Sequence, residues 1–192
     1  METLRLSTLR SNGTNFGCLT DDEDRLVASA FGTTTALLRS HLADYSRRTV
    51  KTPPISEHHW ILSEMVRLFN GDKTRRSVNL RKDFTSIFQK EVYGWLGRIP
   101  RGKVTTYGMI SRKLQSGPRA VGRAVASNPW PLFVECHRVV NADLTVGNYG
   151  LCGSLTQKGT ATKRSLLQRE GVAIKEDEIE RAALWDPSEP TI

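Results

Sequence analysis

Apolar and polar positions along the first third of the chain alternate over short stretches separated by turn-forming residues. Residues 4–9 and 25–32 have the pattern of hairpin strands, and residues 36–48 have a more helical pattern. Apolar side chains then recur at helical spacing over residues 60–69. The pattern predicts a small α/β domain over residues 1–77.

The pattern becomes mainly helical in the rest of the chain. Apolar residues from Phe84 to Leu96 recur at helical spacing, so they predict one core-facing stripe of a helix. Residues 175–192 are acidic and then contain proline, and they are predicted to form a surface helix with a loose end. Residues 78–192 are thus predicted to form a second, mainly helical domain, which puts the chain in the α/β (α+β) class.

Two helices joined by a short turn are predicted between residues 104 and 128. The first begins after Thr106, residues 115–117 form the turn, and Pro118 suits the first position of the second helix. This is the pattern of a helix-turn-helix. Four residues share one face of the second helix, with two guanidinium groups and almost no other bulk: Arg119, Gly122, Arg123 and Ala126. Such a face can approach a phosphate backbone closely. The alternative interpretation of the same pattern is a solvent-facing helix whose small residues pack on a neighbouring element.

The charge balance favours a polyanionic partner. The chain has 192 residues, with 28 Lys and Arg against 20 Asp and Glu, and a formal charge of +8. No stretch approaches the roughly 20 apolar residues of a membrane helix, and the first residues lack the apolar core of a signal peptide. We therefore expect no membrane contact and a location in the cytoplasm, or in the nucleus of a eukaryote. Because Cys18, Cys136 and Cys152 form neither a disulfide framework nor paired zinc ligands, no metal and no other cofactor is predicted.

A cysteine followed at once by histidine and arginine is the main candidate for chemistry. Cys136 lies in an apolar, strand-like stretch, where a buried structural cysteine is the common alternative. His137 and Arg138 are neighbours that could lower the pKa of the thiol or accept its proton. Since adjacent residues on a strand point to opposite faces, contact between Cys136 and His137 would need a bend or a water molecule.

Six motifs follow one another in the second half of the chain. They are Tyr107, Arg119-Ala120-Val121-Gly122, Asn128-Pro129, Cys136-His137-Arg138-Val139, Val146-Gly147-Asn148-Tyr149-Gly150 and Leu166-Leu167-Gln168-Arg169-Glu170-Gly171. In this order and spacing the chain resembles the O6-alkylguanine-DNA alkyltransferases, also called methylated-DNA–protein-cysteine methyltransferases. The resemblance is strong over residues 84–171. It is weak in the N-terminal third, where that family has a small domain with a ribonuclease-H-like sheet.

The resemblance implies direct-reversal DNA repair with a single turnover. Cys136 would take the alkyl group of an O6-alkylguanine irreversibly, and the partner of a monomeric protein would be duplex DNA that contains this lesion. His137 would deprotonate the thiol through a water molecule, and Glu170 would orient the imidazole. Tyr107 would donate a hydrogen bond to guanine N3, and Asn128 would hold the cysteine segment.

The resemblance also implies how the DNA is held. The second helix would enter the minor groove, and Arg119 would fill the space left by a base that is rotated out of the duplex. The implied DNA-binding residues are Thr106, Arg119, Gly122, Arg123 and Ala126. The implied base pocket consists of Val139, Val146, Tyr149 and Gly150.

The chain departs from the family immediately before the cysteine. Proline usually stands there, whereas this chain has Glu135, so a constraint on φ is lost and a carboxylate near Cys136 would oppose thiolate formation. Alkyl transfer is still expected. The alternative is a non-catalytic alkyltransferase-like protein that binds DNA lesions, which would require that Glu135 has disabled the site. Residues 151–162 are also longer than the usual connection, and we expect a tolerated surface insertion there.

Overall fold

The computed structural model describes residues 4–32, 34–46, 55–56, 59–151, 154–155 and 157–187. It confirms the predicted mixed α/β class. The chain divides into two compact units, of which the first contains residues 1–84, 129–133 and 151–154, and the second contains residues 85–128, 134–150 and 155–192. No helix within the described ranges is long and apolar enough to cross a membrane.

A four-stranded sheet forms the centre of the first unit, with the strand order β3-β2-β1-β4. Its strands are β1 (Arg5–Ser11), β2 (Thr14–Thr20), β3 (Leu26–Gly32) and β4 (Ile55–Ser56). The first three strands are antiparallel neighbours, and β4 pairs in parallel with β1. Asn12 and Gly13 connect β1 to β2 with φ values of 46° and 77°, which is the backbone of a two-residue hairpin turn. This Asn-Gly pair is the signal from which β2, which the apolar pattern did not single out, could have been predicted.

Helices α1 (Thr35–Ser46) and α2 (Trp60–Phe69) cover the two faces of this sheet. Gly17 of β2 faces α1, because a Cβ at that position would lie 2.3 Å from Leu38 Cδ2. Its neighbour Phe16 points to the other face, where its ring centroid lies 5.3 Å from that of Phe69 in α2. Since both faces are covered, all seven residues of β3 are buried.

Among the described residues, four α-helices and four very short strands lie wholly within the second unit, and two more short strands each have one residue in it and one in the first unit. The helices are α3 (Ile87–Leu96), α4 (Tyr107–Lys113), α5 (Pro118–Ala126) and α6 (Gln157–Arg169). The strands are β5 (Thr105–Thr106), β6 (Val139–Val140), β7 (Gly150–Leu151), β8 (Ser154–Leu155), β9 (Ile174–Lys175) and β10 (Glu178–Ile179). Parallel pairing of β5 with β6 puts Thr105 opposite Val139, so the start of α4 lies beside the end of the cysteine segment.

The helix predicted from Phe84 begins later than expected. Ser86 and Gln89 form a reciprocal capping box, so α3 starts at Ile87. Ile87 is 78% exposed, and Phe84 lies before the helix, with its ring 5.9 Å from that of Trp130. The prediction that these two residues belong to one core-facing stripe is therefore wrong, because the cap sets the start of the helix after Phe84 and its first turn faces solvent.

The end of the described chain also differs from the prediction. Instead of a surface helix, β9 and β10 form a hairpin that is followed by a 3-10 turn at Arg181–Ala183. Ile179 and Ala183 join the hydrophobic cluster around Val104, and the Trp185 N–H donates to the Val104 carbonyl at 2.7 Å. The helix prediction is wrong because these apolar residues bury against Val104, and residues 188–192 lie outside the described part.

Candidate active site

Cys136 begins a 3-10 turn, Cys136–Arg138, and does not lie in a strand. Glu135 before it has φ −77° and ψ 54°, and the Cys136 N–H donates to the Val134 carbonyl at 2.8 Å, so the backbone turns sharply at Glu135. The strand-like interpretation of this stretch is therefore wrong, and the strand begins only at Val139. Because a φ of −77° is within the range that a proline ring imposes, Glu135 keeps a backbone compatible with proline.

The thiol of Cys136 is buried, with only 6% of the residue exposed. Its Sγ lies 3.6 Å from the hydroxyl of Tyr149. The side chain of Asn128 hydrogen-bonds the thiol and also donates to the Val134 carbonyl at 2.9 Å. Burial and, as a smaller effect, the charge of Glu135 raise the pKa of Cys136, whereas hydrogen bonds from Asn128 and Tyr149 and the charge of Lys163 lower it. Desolvation and Glu135 thus oppose a thiolate, and three other neighbours favour it.

His137, Arg138 and Glu170 form a hydrogen-bonded network beside the thiol. His137 Nε2 lies 3.0 Å from Glu170 Oε1, and Arg138 donates to both oxygens of the same carboxylate at 2.8 Å. The remaining Arg138 nitrogen, Nη1, donates to the Ile99 carbonyl at 2.7 Å. Burial would raise the pKa of Glu170, but the hydrogen bonds from His137 and Arg138 outweigh it and lower the pKa to about 2. Glu170 is therefore an anion with a fixed orientation.

The two ring nitrogens of His137 have different surroundings. Nε2 faces the Glu170 carboxylate, whereas Nδ1 is buried and has no hydrogen-bond partner among the described residues. A neutral imidazole that donates through Nε2 carries its lone pair on Nδ1. His137 can therefore accept a proton at Nδ1 while Glu170 holds the ring and stabilises the cation that forms.

The motifs did not reveal the roles of two residues of this site. Arg138 lies in the cysteine motif, but the sequence does not show that it binds Glu170. Lys163 lies on α6 and is 1% exposed, and its Nζ donates to the Val139 carbonyl at 2.7 Å. Burial lowers the pKa of Lys163 to about 8. A signal was present, because Lys163 precedes the buried Leu166 and Leu167 by three and four residues, on the apolar face of the helix.

The other predicted catalytic and pocket residues differ in their environments. Tyr107 is the first residue of α4, and its pKa is raised to about 12 by burial and by the charge of Cys136, so its hydroxyl keeps its proton. Val139 and Val146 are fully buried, and Val146 packs in the hydrophobic cluster with Val104 and Val140. Gly150 is exposed and begins β7.

The predicted DNA-binding face of α5 is open. Arg119, Arg123 and Ala126 are exposed, and a Cβ added to Gly122 would meet no atom within 4 Å. Val121 and Val125, on another side of the helix, are buried, as the spacing predicts. Thr106 has a different environment, because it is buried and its Oγ1 accepts the Met109 N–H at 3.2 Å as the N-cap of α4.

Helix α5 is held from behind by α3. The hydroxyl of Tyr93 donates to the Ala124 carbonyl at 3.0 Å, and Gln89 Nε2 donates to Ser127 Oγ at 2.9 Å. Ser127 is the C-cap of α5, and Asn128, which contacts the thiol, follows it directly. The open face of α5 and the cysteine turn are therefore joined by one short, hydrogen-bonded segment.

Comparison with known proteins gives a family and several relatives. Residues 87–172 match the family described as 6-O-methylguanine DNA methyltransferase, DNA binding domain. Methylated-DNA–protein-cysteine methyltransferases of Thermococcus gammatolerans and Saccharolobus islandicus are 43% identical over 86 residues and 41% identical over 102 residues. The alignments cover 44% and 53% of this chain and 45% and 60% of the relatives. The chain thus spans about half the length of the curated relatives it matches.

Solved structures resemble a larger part of the chain. The O6-methylguanine-DNA methyltransferase of Pyrococcus kodakaraensis KOD1 has a TM-score of 0.66 at 26% identity, covering 88% of this chain and 100% of that chain. The Mycobacterium tuberculosis protein OGT in complex with DNA has a TM-score of 0.64 at 28% identity, covering 86% of this chain and 92% of that one. The similarity of fold therefore extends beyond residues 87–172.

Proposed function

We propose that this chain, which belongs through residues 87–172 to the 6-O-methylguanine DNA methyltransferase family, is a methylated-DNA–protein-cysteine S-methyltransferase that reacts once. The observation that carries the proposal is the buried Cys136 thiol, which contacts Tyr149 and is followed on the same turn by His137, whose ring is paired with Glu170 at the end of α6. A thiol, a base and a carboxylate that orients the base are the parts of an activated nucleophile.

The proposed reaction is an irreversible transfer of the alkyl group. His137 accepts the proton of Cys136 at Nδ1 through a water molecule, and the thiolate attacks the alkyl carbon of O6-alkylguanine. The sulfur–carbon bond forms as the carbon–O6 bond breaks, and the bonding pair stays on O6. Tyr107 donates to guanine N3 as negative charge develops on the leaving base. A thioether has no leaving group that would regenerate the thiol, so each molecule reacts once.

Two further groups support the thiolate in this proposal. Asn128 keeps the cysteine turn in place through the Val134 carbonyl and hydrogen-bonds the sulfur. Lys163, buried beside the turn, offers a positive charge that is present below its pKa of about 8. Its role is electrostatic stabilisation of the nucleophile.

The proposed substrate is duplex DNA, in which O6 is hidden in the base stack. The alkylated base must be rotated out, at a cost of a few kcal/mol. We assign Arg119 to the vacated space and the small residues Gly122 and Ala126 to close approach in the minor groove. Arg123, and Thr106 at the start of α4, are assigned to the DNA backbone. The flipped base would lie against Val139, Val146, Tyr149 and Gly150.

The proposal includes the organisation of the whole chain. A sheet with helices on both faces supports a ribonuclease-H-like N-terminal domain, and the four helices described in the second unit support a mainly helical C-terminal domain with a helix-turn-helix. The boundary between residues 77 and 78 stays a prediction. A monomer is proposed, acting where the DNA is, in the cytoplasm of a prokaryote or the nucleus of a eukaryote.

The test is the mass of the protein after incubation with a duplex that contains one O6-methylguanine. A gain of one methylene per molecule, mapped to Cys136 and absent from Cys136→Ala, is the expected result. If the protein binds the lesion and gains no mass, the transfer proposal fails and the chain is a lesion-binding relative without chemistry. Cys18→Ala is the matched control, since burial raises the pKa of that thiol to about 12 and its removal should leave the mass gain intact.

A further inference from the structure

The segment that connects Asn128 to Val134 belongs to the first unit. It consists of residues 129–133, whereas the residues on either side of it belong to the second unit. Asn128 Nδ2 donates to the Val134 carbonyl at 2.9 Å, so the two ends of the segment are tied together. The same carbonyl accepts the Cys136 N–H at 2.8 Å. A displacement of residues 129–133 would therefore reach the turn that carries the thiol through Val134.

The outer edge of β3 holds the first half of this segment. In the described sheet β3 is an outer strand, so its edge away from β2 can bind other parts of the chain. The Ser29 N–H donates to the Pro129 carbonyl at 2.8 Å, and Ser29 Oγ donates to the Pro131 carbonyl at 3.2 Å. Trp130 Nε1 donates to the Leu26 carbonyl at 2.9 Å. Because proline has no N–H, the two prolines pair with β3 through their carbonyls, and Ser29 supplies the donors for both.

The second half of the segment contains a strained turn. The Phe133 N–H donates to the Trp130 carbonyl at 3.1 Å, and Leu132 between them adopts a φ of 77°. With Pro131 second and a positive φ third, this is the pattern of a type II turn, whose third position favours glycine. A leucine rarely adopts such a φ, and this backbone persists only where the surrounding structure holds it. The Phe133 carbonyl accepts a hydrogen bond from Arg75 Nη2, so donors hold the chain on both sides of Leu132.

We propose that Ser29 and Arg75 are positioning residues for the nucleophile. They hold the carbonyl groups before and after the strained turn at Leu132, and they thereby fix the place of the Cys136 turn. Both residues lie outside the matched range of residues 87–172, so the proposal gives the first unit a part in the reaction. The inference deepens the proposed function, on which only its DNA experiment rests.

The first experiment measures the Cys136 turn without DNA. Amide hydrogen exchange is followed at Cys136, whose N–H donates to the Val134 carbonyl, in the unaltered chain, in Ser29→Ala and in Arg75→Met. We expect exchange at Cys136 to be about tenfold faster in both variants, because a carbonyl of the segment loses its donor and the turn opens more easily. Exchange of the Ser127 N–H at the end of α5 is the internal reference and should stay the same.

The second experiment measures single-turnover transfer from an O6-methylguanine duplex at saturating concentration. Because each molecule reacts once, the final amount of alkylated protein reports the folded fraction, and the rate constant reports the place of the thiol. Arg75→Met should lower the rate constant about tenfold and leave the final amount unchanged. Arg75→Lys, which keeps a donor, should restore most of the rate. Arg76→Met is the matched control, since it removes the neighbouring exposed guanidinium and keeps the backbone N–H that donates to Glu64.

Exchange at Cys136 that is the same in both variants as in the unaltered chain would overturn the inference. Equal acceleration at Cys136 and Ser127, or a smaller final amount with an unchanged rate constant, would also overturn it, because either result means a general loss of stability. Since Arg75 is exposed, its substitution opens no core, and the test holds even if Ser29→Ala does not fold. If exchange changes at Cys136 alone but neither the unaltered chain nor any variant takes an alkyl group from DNA, the proposed function fails and the inference on the turn stands.

Discussion

Glu170 links the chemistry of the site to its stability at the scale of one residue. Because the pKa of its carboxyl is about 2 in the folded protein and ordinarily about 4.5, the ionised carboxylate stabilises the fold above pH 4.5. That contribution, on the order of 3 kcal/mol, should disappear as the pH falls from about 5 to about 2. Urea unfolding across this range should show a smaller loss for Glu170→Gln than for the unaltered chain. Equal losses in both proteins would contradict the assignment, and exposed Glu178→Gln is the control.

Lys163 gives a second prediction at the scale of one residue. Its effect is lost as the pH rises, whereas that of Glu170 is lost as the pH falls. Its positive charge favours the Cys136 thiolate, and that charge is lost as the pH rises through about 8. Lys163→Met, which keeps the length of the side chain, should slow alkylation of Cys136 by roughly tenfold below pH 8. Above that pH the two rates should converge, because the native lysine is then neutral as well. A constant ratio of rates from pH 6 to 10 would show that the lysine acts by packing alone.

At the scale of the secondary-structure element, Gly122 of α5 is expected to affect both the stability of the protein and its proposed binding to DNA. A glycine within a helix costs about 0.5–1 kcal/mol relative to alanine, and a Cβ at this position meets no atom within 4 Å of the protein. Gly122→Ala should therefore raise the melting temperature while it weakens binding to duplex DNA, and Gly122→Leu should weaken binding further. Gly94→Ala in α3, whose Cβ would also meet nothing, should raise the melting temperature without loss of DNA binding. Unchanged affinity in Gly122→Leu would exclude close approach of DNA at this face.

The elements also show how far the sequence leads. Spacing and caps predict α2, α4 and α5 well, because Asn70-Gly71 and Pro118 are strong local signals. Helical spacing alone placed Phe84 and Ile87 in a core, whereas the capping box at Ser86 set the start of the helix. Contacts between distant parts, such as Trp185 with Val104, leave no local signal, since burial there depends on the assembled unit.

The same lack of local signals limits how much of the candidate active site could be predicted from the sequence. The motif led to Cys136, His137 and Glu170, and the structure brings the last two within 3.0 Å. The motif did not lead to Lys163, because a lysine on a helix is ordinarily exposed. Only the buried leucines on the same face of the helix indicate that this lysine is buried. The 3-10 turn at Cys136 was missed because its apolar neighbours have the composition of a strand.

At the scale of the whole molecule, a charge of +8 predicts that the proposed binding to DNA depends strongly on salt. The logarithm of the association constant should fall linearly with the logarithm of salt concentration, and removal of one phosphate contact should reduce the slope by about 1. Arg123→Ala should show this reduction on undamaged duplex. Lys175→Ala removes an exposed charge paired with Glu180 and should leave the slope unaltered, so equal reductions would mean that net charge alone sets the slope.

Gly147 is constrained by the protein itself, in contrast to Gly122. Its φ is +72°, and a Cβ there would lie 2.9 Å from Asn141 Oδ1, part of a side chain that donates to Thr145 Oγ1 at 2.9 Å. In a library of variants selected for survival under alkylating damage, position 147 should be as intolerant as position 136, although it performs no chemistry. Position 122 should lose function on substitution while the protein accumulates normally. Glycine would therefore be retained at positions 147 and 122 for two different reasons, the first being the fold and the second being function. Measuring the abundance of each variant in the cell would distinguish the two.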